Sequence, residues 1–307
     1  MNSRCYAGPD DLQAMLDLLT VVRPPERLAD FPSAVDLHEA MALSKVQENT
    51  RLWFDAAGRL AGFAYVDPYC NLRFEFEPQH LLPEMEREIV AWGETCIRRM
   101  MQAEGEEALT LDASCREDDT ARIALLERHG FERLPLHSLH LARSLAEPIP
   151  EPQVPAGFSI RHVAGEQEAA ALAALHRAAF GTTHMTVEER LAMIRVPDYE
   201  AALDLLAVAE NGRLAATCLC AVYQSENVRT GRQEGYTDPI ATHPEFQRKG
   251  LAKALLLTGL QKLKERGMET AVLGTSSENE AMQQLALAVG FHVESTTLWF
   301  ARPVTAN

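Results

Sequence analysis

The sequence predicts an α/β protein built as two tandem copies of one unit, each a mixed, mostly antiparallel sheet flanked by helices. Similar segments recur about 155–162 residues apart along the 307-residue chain. Strand-like runs alternate with helical runs, and one proline-rich segment separates the copies. We therefore expect a first domain over residues 1–143, a linker over 144–157 and a second domain over 158–307.

The two copies share their turns as well as the order of their elements. Residues 52–62 end in Gly-Arg-Leu-Ala-Gly and residues 206–216 end in Gly-Arg-Leu-Ala-Ala, each a strand, a tight turn and a second strand. Residues 126–131 and 287–291 both end a helix at Gly-Phe, where glycine suits the helix C-terminus. Two domains of one fold are therefore the expected organisation.

The segment between the copies is rich in proline. Residues 144–157 carry four prolines in fourteen residues. Proline fixes φ and favours an extended chain, so this segment reads as a stiff spacer of the kind that commonly separates domains.

The composition is that of an ordinary globular protein, with 47% hydrophobic and 24% charged residues and a formal net charge of −15. This acidity disfavours nucleic acid and anionic membranes and suits a small cationic or neutral substrate, although solubility alone explains it equally. Six cysteines without Cys-x-x-Cys spacing, and the lack of a Cys/His ligand motif, predict reduced thiols and no metal. With no apolar run of about 18 residues and no signal-peptide core, we expect a cytoplasmic protein, monomeric or homodimeric.

One stretch of the second copy reads as an anion-binding turn. Residues 240–242 supply the end of a strand, which Pro244 stops because proline cannot continue a ladder. A long apolar helical stripe then begins at Leu251. Gly250 has no Cβ, so a ligand can approach the main chain, and the unpaired N–H groups of the helix start suit a phosphate. Three cations surround this turn: Arg248, Lys249 and Lys253.

The pattern Gln247-x-x-Gly250-x-Ala252 resembles the acetyl-CoA motif of the GNAT superfamily of N-acetyltransferases. The order of elements over about 158–303, and more weakly over about 3–143, is similar to the GNAT fold, which implies two tandem GNAT-like domains. The resemblance implies that backbone groups of the strand end lie along the pantetheine, that the turn binds the pyrophosphate, and that an Asn contacts CoA. The implied cofactor-binding residues are Ile240, Ala241, Thr242, Gln247, Arg248, Lys249, Gly250, Leu251, Ala252, Lys253 and Asn279. For Asn279, capping of the following helix is the alternative, a role that Ser277 could also fill.

The first copy departs from this pattern where the anion turn should be. It lacks the Gly-x-Ala/Gly sequence, and Glu84, Glu86 and Glu88 occupy the start of the corresponding helix. Carboxylates satisfy the helix dipole themselves and would repel a pyrophosphate. We therefore expect only the second domain to bind CoA, an arrangement that resembles tandem-domain members of the superfamily.

Catalysis needs a group that removes a proton from the acceptor amine. Glu234, Tyr236 and Asp238 alternate along the strand that precedes the turn, so we expect them to share one face. Glu234 and Asp238 are the candidate bases; the alternative is that they are solvated carboxylates. GNAT proteins often carry a tyrosine seven residues after the Asn, to protonate the thiolate, but Ala286 occupies that place here.

The resemblance therefore implies an N-acyltransferase, most simply one that moves acetyl from acetyl-CoA to a primary amine of a small molecule. Two alternatives remain open. One is a non-catalytic CoA-binding sensor, which Ala286 would favour. The other is a protein N-terminal acetyltransferase, which would need an open groove.

Overall fold

The computed structural model describes residues 1–305, which contain thirteen strands and ten α-helices. In the first half of the sequence the elements are β1 (Asn2–Cys5), α1 (Pro9–Val22), α2 (Ala34–Met41), α3 (Ser44–Glu48), β2 (Thr50–Phe54), β3 (Leu60–Val66), β4 (Leu72–Phe76), α4 (Pro83–Glu104), β5 (Ala108–Arg116), α5 (Thr120–Arg128) and β6 (Glu132–Ser144). In the second half they are β7 (Phe158–His162), α6 (Ala169–Phe180), α7 (Val187–Ile194), β8 (Asp204–Ala209), β9 (Leu214–Leu219), α8 (Gln224–Thr230), β10 (Glu234–Tyr236), β11 (Ile240–Thr242), α9 (Leu251–Glu265), β12 (Thr270–Ser276), α10 (Glu280–Ala288) and β13 (His292–Thr305).

The first compact unit contains residues 1–137 together with the chain from Thr296 onward. Its sheet runs β1-β2-β3-β4 with antiparallel neighbours. Strand β3 is buried on both faces, which explains its nearly continuous apolar sequence. Phe63 and Tyr65 belong to the cluster with α1 and α2, whereas Ala64 and Val66 belong to the cluster with α4.

The second compact unit contains residues 138–295. Its four-stranded sheet has the order β11-β9-β8-β7. Strand β12 pairs in parallel with β10 and antiparallel with residues 138–144 of β6. Helix α9 lies directly against the sheet: a Cβ at Gly259 would meet the Sγ of Cys220 at 2.4 Å, so the missing side chain permits this close approach.

The two units are not simply the two halves of the sequence. Residues 138–144, from the end of the first half, complete the sheet edge at β12 in the second unit. Residues 297–305, from the end of the second half, pair with β5 in the first unit. The predicted division into 1–143, 144–157 and 158–307 does not anticipate this exchange, because short-range patterns carry no information on which strand a terminal segment joins.

The predicted single strand over 234–242 is two strands. β10 pairs with β12, whereas β11 pairs antiparallel with β9, and residues 237–239 between them belong to neither strand. Pro239, which lacks an N–H group, lies in this break. The sheet therefore opens between β11 and β12, directly before the predicted anion turn.

Helix boundaries in the second unit agree closely with the sequence patterns. Thr186 caps α7: its Oγ1 accepts the N–H of Glu189, and the Glu189 carboxylate accepts the N–H of Thr186. A threonine three residues before a glutamate is the sequence signature of such a capping box. Helix α8 was not predicted, since its seven residues lie in a stretch without an apolar period and read as loop.

Candidate active site

The predicted anion turn is a cradle of free backbone N–H groups. Arg248 and Gly250 have φ values of 61° and 86°, and no side chain caps the start of α9. Among residues 1–305, none of the N–H groups from Arg248 to Lys253 donates to a carbonyl or a side chain. Consecutive N–H groups in left-handed and helical conformations form a concave site for an anion, and the helix dipole strengthens it.

The side chains around the cradle differ in their surroundings. Arg248, Lys249 and Lys253 are all exposed. The Nζ of Lys249 lies 5.5 Å from the ring centroid of Phe246 and 5.6 Å from that of Phe158, distances typical of cation–π contact. Leu251 is buried in the core, so only its backbone can face a ligand.

Strand β11 leaves one backbone edge open beside the cradle. Pro239 C=O accepts the N–H of Leu219 on β9, and the N–H of His243 donates to Ala215 on the same strand. Because backbone groups alternate along a strand, Ile240 and Thr242 direct theirs to the opposite side. β11 is the last strand of its sheet on that side, so this edge can pair with the amide groups of an extended ligand.

Asp238 lies in the gap where the strands separate. Its Oδ2 accepts the N–H of Gly274 on β12 at 3.3 Å, and a Cβ on Gly274 would meet this oxygen at 3.0 Å. The carboxylate thus spans from the break between β10 and β11 to the facing strand. An unbroken strand would place Asp238 on the face shared by Glu234 and Tyr236, but the break after Tyr236 ends that face before it reaches Asp238.

Glu234 and Tyr236 lie on β10, on the side opposite Gly235, which packs against Leu263 of α9. Burial raises the pKa of the Glu234 carboxyl, and the Arg232 guanidinium at 3.1 Å opposes that shift. Burial also raises the pKa of the Tyr236 phenol well above its ordinary value.

Two further residues, Tyr223 and Glu226, lie next to Tyr236, and Glu226 was not singled out as a site from the sequence. The Tyr236 hydroxyl donates to the buried Glu226 carboxylate at 3.2 Å, and the Tyr223 ring lies 4.8 Å from the Tyr236 ring, centroid to centroid. Both lie in or beside α8. No spacing rule connects them to β10, so only the folded chain brings the three together.

The two positions read from α10 have structural roles. The Oδ1 of Asn279 accepts the N–H of Met282 at 3.1 Å, so Asn279 itself, rather than Ser277, caps the helix. Ala286 is fully buried among apolar residues of the core, including Val289 and Phe291. This face of α10 packs on the core.

A second feature of this unit is a small cleft beside Pro239, with a cavity volume of about 20 Å³. The residues that line it are Leu172, His176, Met185, Arg190, Met193, Asp204, Thr217, Leu219 and Pro239. Arg190 donates to the Asp204 carboxylate, which is fully buried. Burial raises the pKa of Asp204, with Arg190 opposing the shift, and burial lowers the pKa of His176. None of the three candidates on 234–238 lines this cleft.

The corresponding helix start in the first unit is occupied by its own side chains. Helix α4 begins at Pro83, which has no N–H group to offer. The buried Glu86 carboxylate accepts from Arg128 and lies 3.0 Å from the Nε2 of His129. Glu84 pairs with a neighbouring arginine, and Glu88 accepts the indole N–H of Trp53 at 2.9 Å. Side chains of the first unit and their partners thus occupy this helix start.

Two searches of residues 1–305 bear on other classes of site. No group of three or more His, Cys, Asp or Glu side chains is arranged to hold a metal ion. Within the same residues, no helix combines the length and the apolarity that crossing a bilayer requires.

Comparison with known families agrees with this geometry. Residues 170–291 match the model of the acetyltransferase (GNAT) family. The match begins in α6, contains the break between β10 and β11 and the cradle, and ends at the Gly-Phe after α10. The second unit thus carries a GNAT domain.

Curated relatives and solved structures extend the similarity to the whole chain. The mycothiol acetyltransferase of Segniliparus rotundus is 28% identical over 81% of this chain and 92% of its own length. That of Renibacterium salmoninarum is 27% identical over 70% of this chain, and the match spans 64% of that relative, just under two thirds. A GCN5-related N-acetyltransferase from Sphaerobacter thermophilus superposes with a TM-score of 0.69 at 22% identity, covering 100% of this chain and 96% of that one. A tandem GNAT protein from the clavulanic acid biosynthesis pathway also gives 0.69, at 16% identity and with both chains fully covered.

The chain therefore contains a GNAT-family domain and has the fold of a tandem GNAT protein. The predicted family and the predicted fold class, two tandem GNAT-like domains of mixed sheet and flanking helices, are both confirmed. The relatives named above are acetyltransferases, which favours an enzyme over the non-catalytic sensor.

Proposed function

We propose that this protein transfers the acetyl group of acetyl-CoA to a primary amine of a small molecule, using the second unit. The proposal is supported by two adjacent stretches of backbone that can both hydrogen-bond a ligand, the edge of β11 and the cradle. The open edge of β11 leads directly into the cradle over 248–253, in which the described N–H groups have no partner. An extended amide-containing arm that ends in a pyrophosphate has the chemistry to satisfy both.

The residues that would hold acetyl-CoA follow from this fit. Ile240 and Thr242 would pair with the pantetheine amides, and the N–H groups from Arg248 to Lys253 would bind the pyrophosphate. Gln247 would support the turn, since its Nε2 lies 3.5 Å from the carbonyl oxygen of Thr242. Asn279 would act chiefly as the cap of α10, because its side-chain oxygen is already bonded.

The reaction also needs a proton acceptor. An ammonium acceptor must lose a proton before its nitrogen can attack the thioester carbon. The new C–N bond forms as the C–S bond breaks, and the thiolate leaves to take a proton while the nitrogen loses its second one. Asp238 is the candidate base that the geometry favours, because its carboxylate lies in the gap between β11 and β12. We assign Glu234 and Tyr236 supporting roles further along the strand.

We also propose a cytoplasmic location and an acceptor that is a small molecule rather than a protein terminus. The described cysteines are all unpaired thiols, as in proteins of reducing compartments. The similarity to mycothiol acetyltransferases supports a small-molecule acceptor. Whether the chain works as a monomer or a homodimer is left to a direct measurement of its mass in solution.

The proposal is tested by incubating the full chain with acetyl-CoA and a panel of primary amines. Release of free CoA thiol and the acetylated amine are measured together, the second by mass spectrometry. We expect amine-dependent thiol release with matching product formation for some members of the panel. CoA binding without transfer to any amine would instead support the sensor.

A further inference from the structure

The turn that forms the cradle has a backbone conformation that a side chain disfavours. Arg248 has a left-handed φ of 61°, and within residues 1–305 it is one of two residues other than glycine with a positive φ. Gly250 follows with a φ of 86°, which glycine adopts freely. A non-glycine residue persists in the left-handed region only where its surroundings hold it there. The neighbours of Arg248 are therefore expected to fix the shape of the cradle.

Lys249, the next residue, is held by two aromatic rings. Its Nζ lies 5.6 Å from the ring centroid of Phe158 and 5.5 Å from that of Phe246. The two rings meet edge to face, with centroids 5.7 Å apart and planes at 85°. Phe246 ends the short helical turn before the cradle, whereas Phe158 is the first residue of β7, and both pack against the core of the second unit. The ammonium of Lys249 thus connects the cradle to the sheet.

Arg213, in the turn between β8 and β9, also contacts Phe246. Its guanidinium lies 5.1 Å from the ring centroid, and its Nη1 lies 2.6 Å from a carboxylate oxygen of Glu245. An exposed ion pair of this kind contributes little to stability by itself. Together with Phe158, however, Arg213 gives residues 245–246 contacts with two separate parts of the sheet. The segment that leads into the cradle is therefore fixed before residue 248 is reached.

The other two cations of the turn are not held in this way. Arg248 and Lys253 are exposed, and neither side chain makes a hydrogen bond or an ion pair with another residue of the range 1–305. Both are therefore free to meet a phosphate, whereas the ammonium of Lys249 is already engaged with the rings. The structure thus separates three cations that the sequence pattern does not distinguish.

We propose that Lys249 is a positioning residue for the cradle. Held between Phe158 and Phe246, it fixes the left-handed turn and so arranges the N–H groups before CoA binds. It acts through the backbone and does not bind a phosphate with its own ammonium. A preformed site avoids the entropy loss of ordering the turn on binding. This inference rests on the CoA binding of the proposed function, and it adds Phe158, which lies outside the family match over 170–291.

A double-mutant cycle on the full chain tests the inference, with the Kd for CoA measured by calorimetry. Lys249→Met keeps the apolar stem and removes the charge, and Phe158→Leu removes a ring that lies outside the turn. Each substitution should weaken CoA binding by about two- to fivefold, the range expected for an exposed cation–π contact. The double variant should bind CoA no more weakly than the weaker single variant, because both substitutions remove the same contact.

Two further variants distinguish positioning from general damage to the fold. Phe158→Tyr keeps the ring and should bind CoA within about twofold of the native protein. Lys253→Met removes a free cation, and its loss of affinity should multiply with that of Phe158→Leu, because the two act independently. If Phe158→Leu lowers the melting temperature, Phe246→Leu removes the other ring and completes the same cycle with Lys249→Met.

Two results overturn the inference while leaving the proposed function intact. One is a loss of affinity in Lys249→Met that multiplies with the loss in Phe158→Leu, which would mean that the ammonium binds the phosphates directly. The other is an unchanged Kd in Phe158→Leu. Failure of the proposed function would look different, because the native protein itself would bind no CoA or would transfer acetyl to no amine.

Discussion

At the scale of single residues, the structure distinguishes Asp238 from the other two candidate catalytic residues, Glu234 and Tyr236. The sequence alone does not distinguish them. All three alternate along residues 234–238, but only Asp238 lies in the gap that opens between β11 and β12. Glu234 is paired with Arg232, and Tyr236 donates to Glu226. The carboxylate in the gap is therefore the one expected to act on a substrate.

Asp238→Asn should lower kcat by roughly 10²–10⁴-fold, the usual effect of removing a general base. Glu234→Gln is the matched control and should lower kcat by less than about tenfold.

Because burial raises the pKa of Glu234, its carboxyl becomes protonated as the pH falls through a value above the ordinary 4.5. If the ionised Glu234 contributes to catalysis, kcat/KM should therefore fall at acid pH, and this fall should be absent in Glu234→Gln. Steady-state kinetics across pH measure both, and a larger loss in Glu234→Gln would reverse the assignment.

Ala286 gives a second residue-scale prediction. Its burial in the core means that Ala286→Tyr would insert a ring where there is no room, at a cost of about 1–3 kcal/mol in the free energy of unfolding. Ala288→Tyr, on the exposed side of the same helix, should leave stability nearly unchanged. Thermal or denaturant unfolding compares the two. A faster acetyl transfer in a stable Ala286→Tyr protein would contradict the packing described here.

The sequence predicted some single residues well because their roles are local. The Thr186 capping box and the glycine at the cradle depend on neighbours within a few positions. Asp204 reads only as the beginning of a strand, because its partners Arg190 and Tyr199 meet it through tertiary packing. The burial of Ala286 could not be read from the sequence, since the family pattern fixes a sequence position but not the direction of the helix face.

At the scale of elements, the site is a strand, a turn and a helix in sequence: β11, residues 243–250 and α9. The break at 237–239 separates β11 from β10 and opens the edge, and the left-handed φ at Gly250 directs the N–H groups outward. The turn was predicted from its glycine and proline. The break between β10 and β11 was not predicted from the sequence. The residues on both sides of it have strand character, and the choice of partner strand depends on residues far away in the sequence.

Gly250→Glu should weaken CoA binding by about a hundredfold, since it adds a negative charge and a Cβ at a left-handed position beside the phosphates. Gly212→Glu is the matched control. Gly212 also has a left-handed φ, of 81°, and open space around it, but it lies in the turn between β8 and β9. Equal loss of affinity in the two variants, measured by calorimetry, would mean that the cradle is not the phosphate site.

At the scale of the whole molecule, the exchange of terminal strand segments makes the sequence halves poor folding units. A fragment over 158–307 lacks residues 138–144, the antiparallel partner of β12, and retains a terminal strand whose partner β5 is missing. Leu141, buried in the core of the second unit, is also lost. Sequence repeats predicted two copies correctly but could not reveal the exchange, because pairing across more than a hundred residues leaves no local signal.

The fragment 158–307 should therefore be less stable and more prone to aggregate than the fragment 138–295, which matches the compact unit. The missing strand exposes the edge of β12 and apolar core such as Leu273. Melting temperature and size-exclusion profiles of the two fragments decide this. A 158–307 fragment that is equally soluble and melts at the same temperature would show that the exchanged segment contributes little.

Among residues 1–305, the second unit presents a cradle of free N–H groups at the start of α9, whereas Glu86 and its partners occupy the matching helix start of the first unit. We therefore predict one CoA site per chain, in the second unit. Calorimetric titration of the full chain with CoA tests it most directly. The account predicts one CoA per chain in the native protein and Gly212→Glu, and loss of that single site in Gly250→Glu. Two CoA per chain, or one CoA bound equally well by Gly250→Glu, would contradict it.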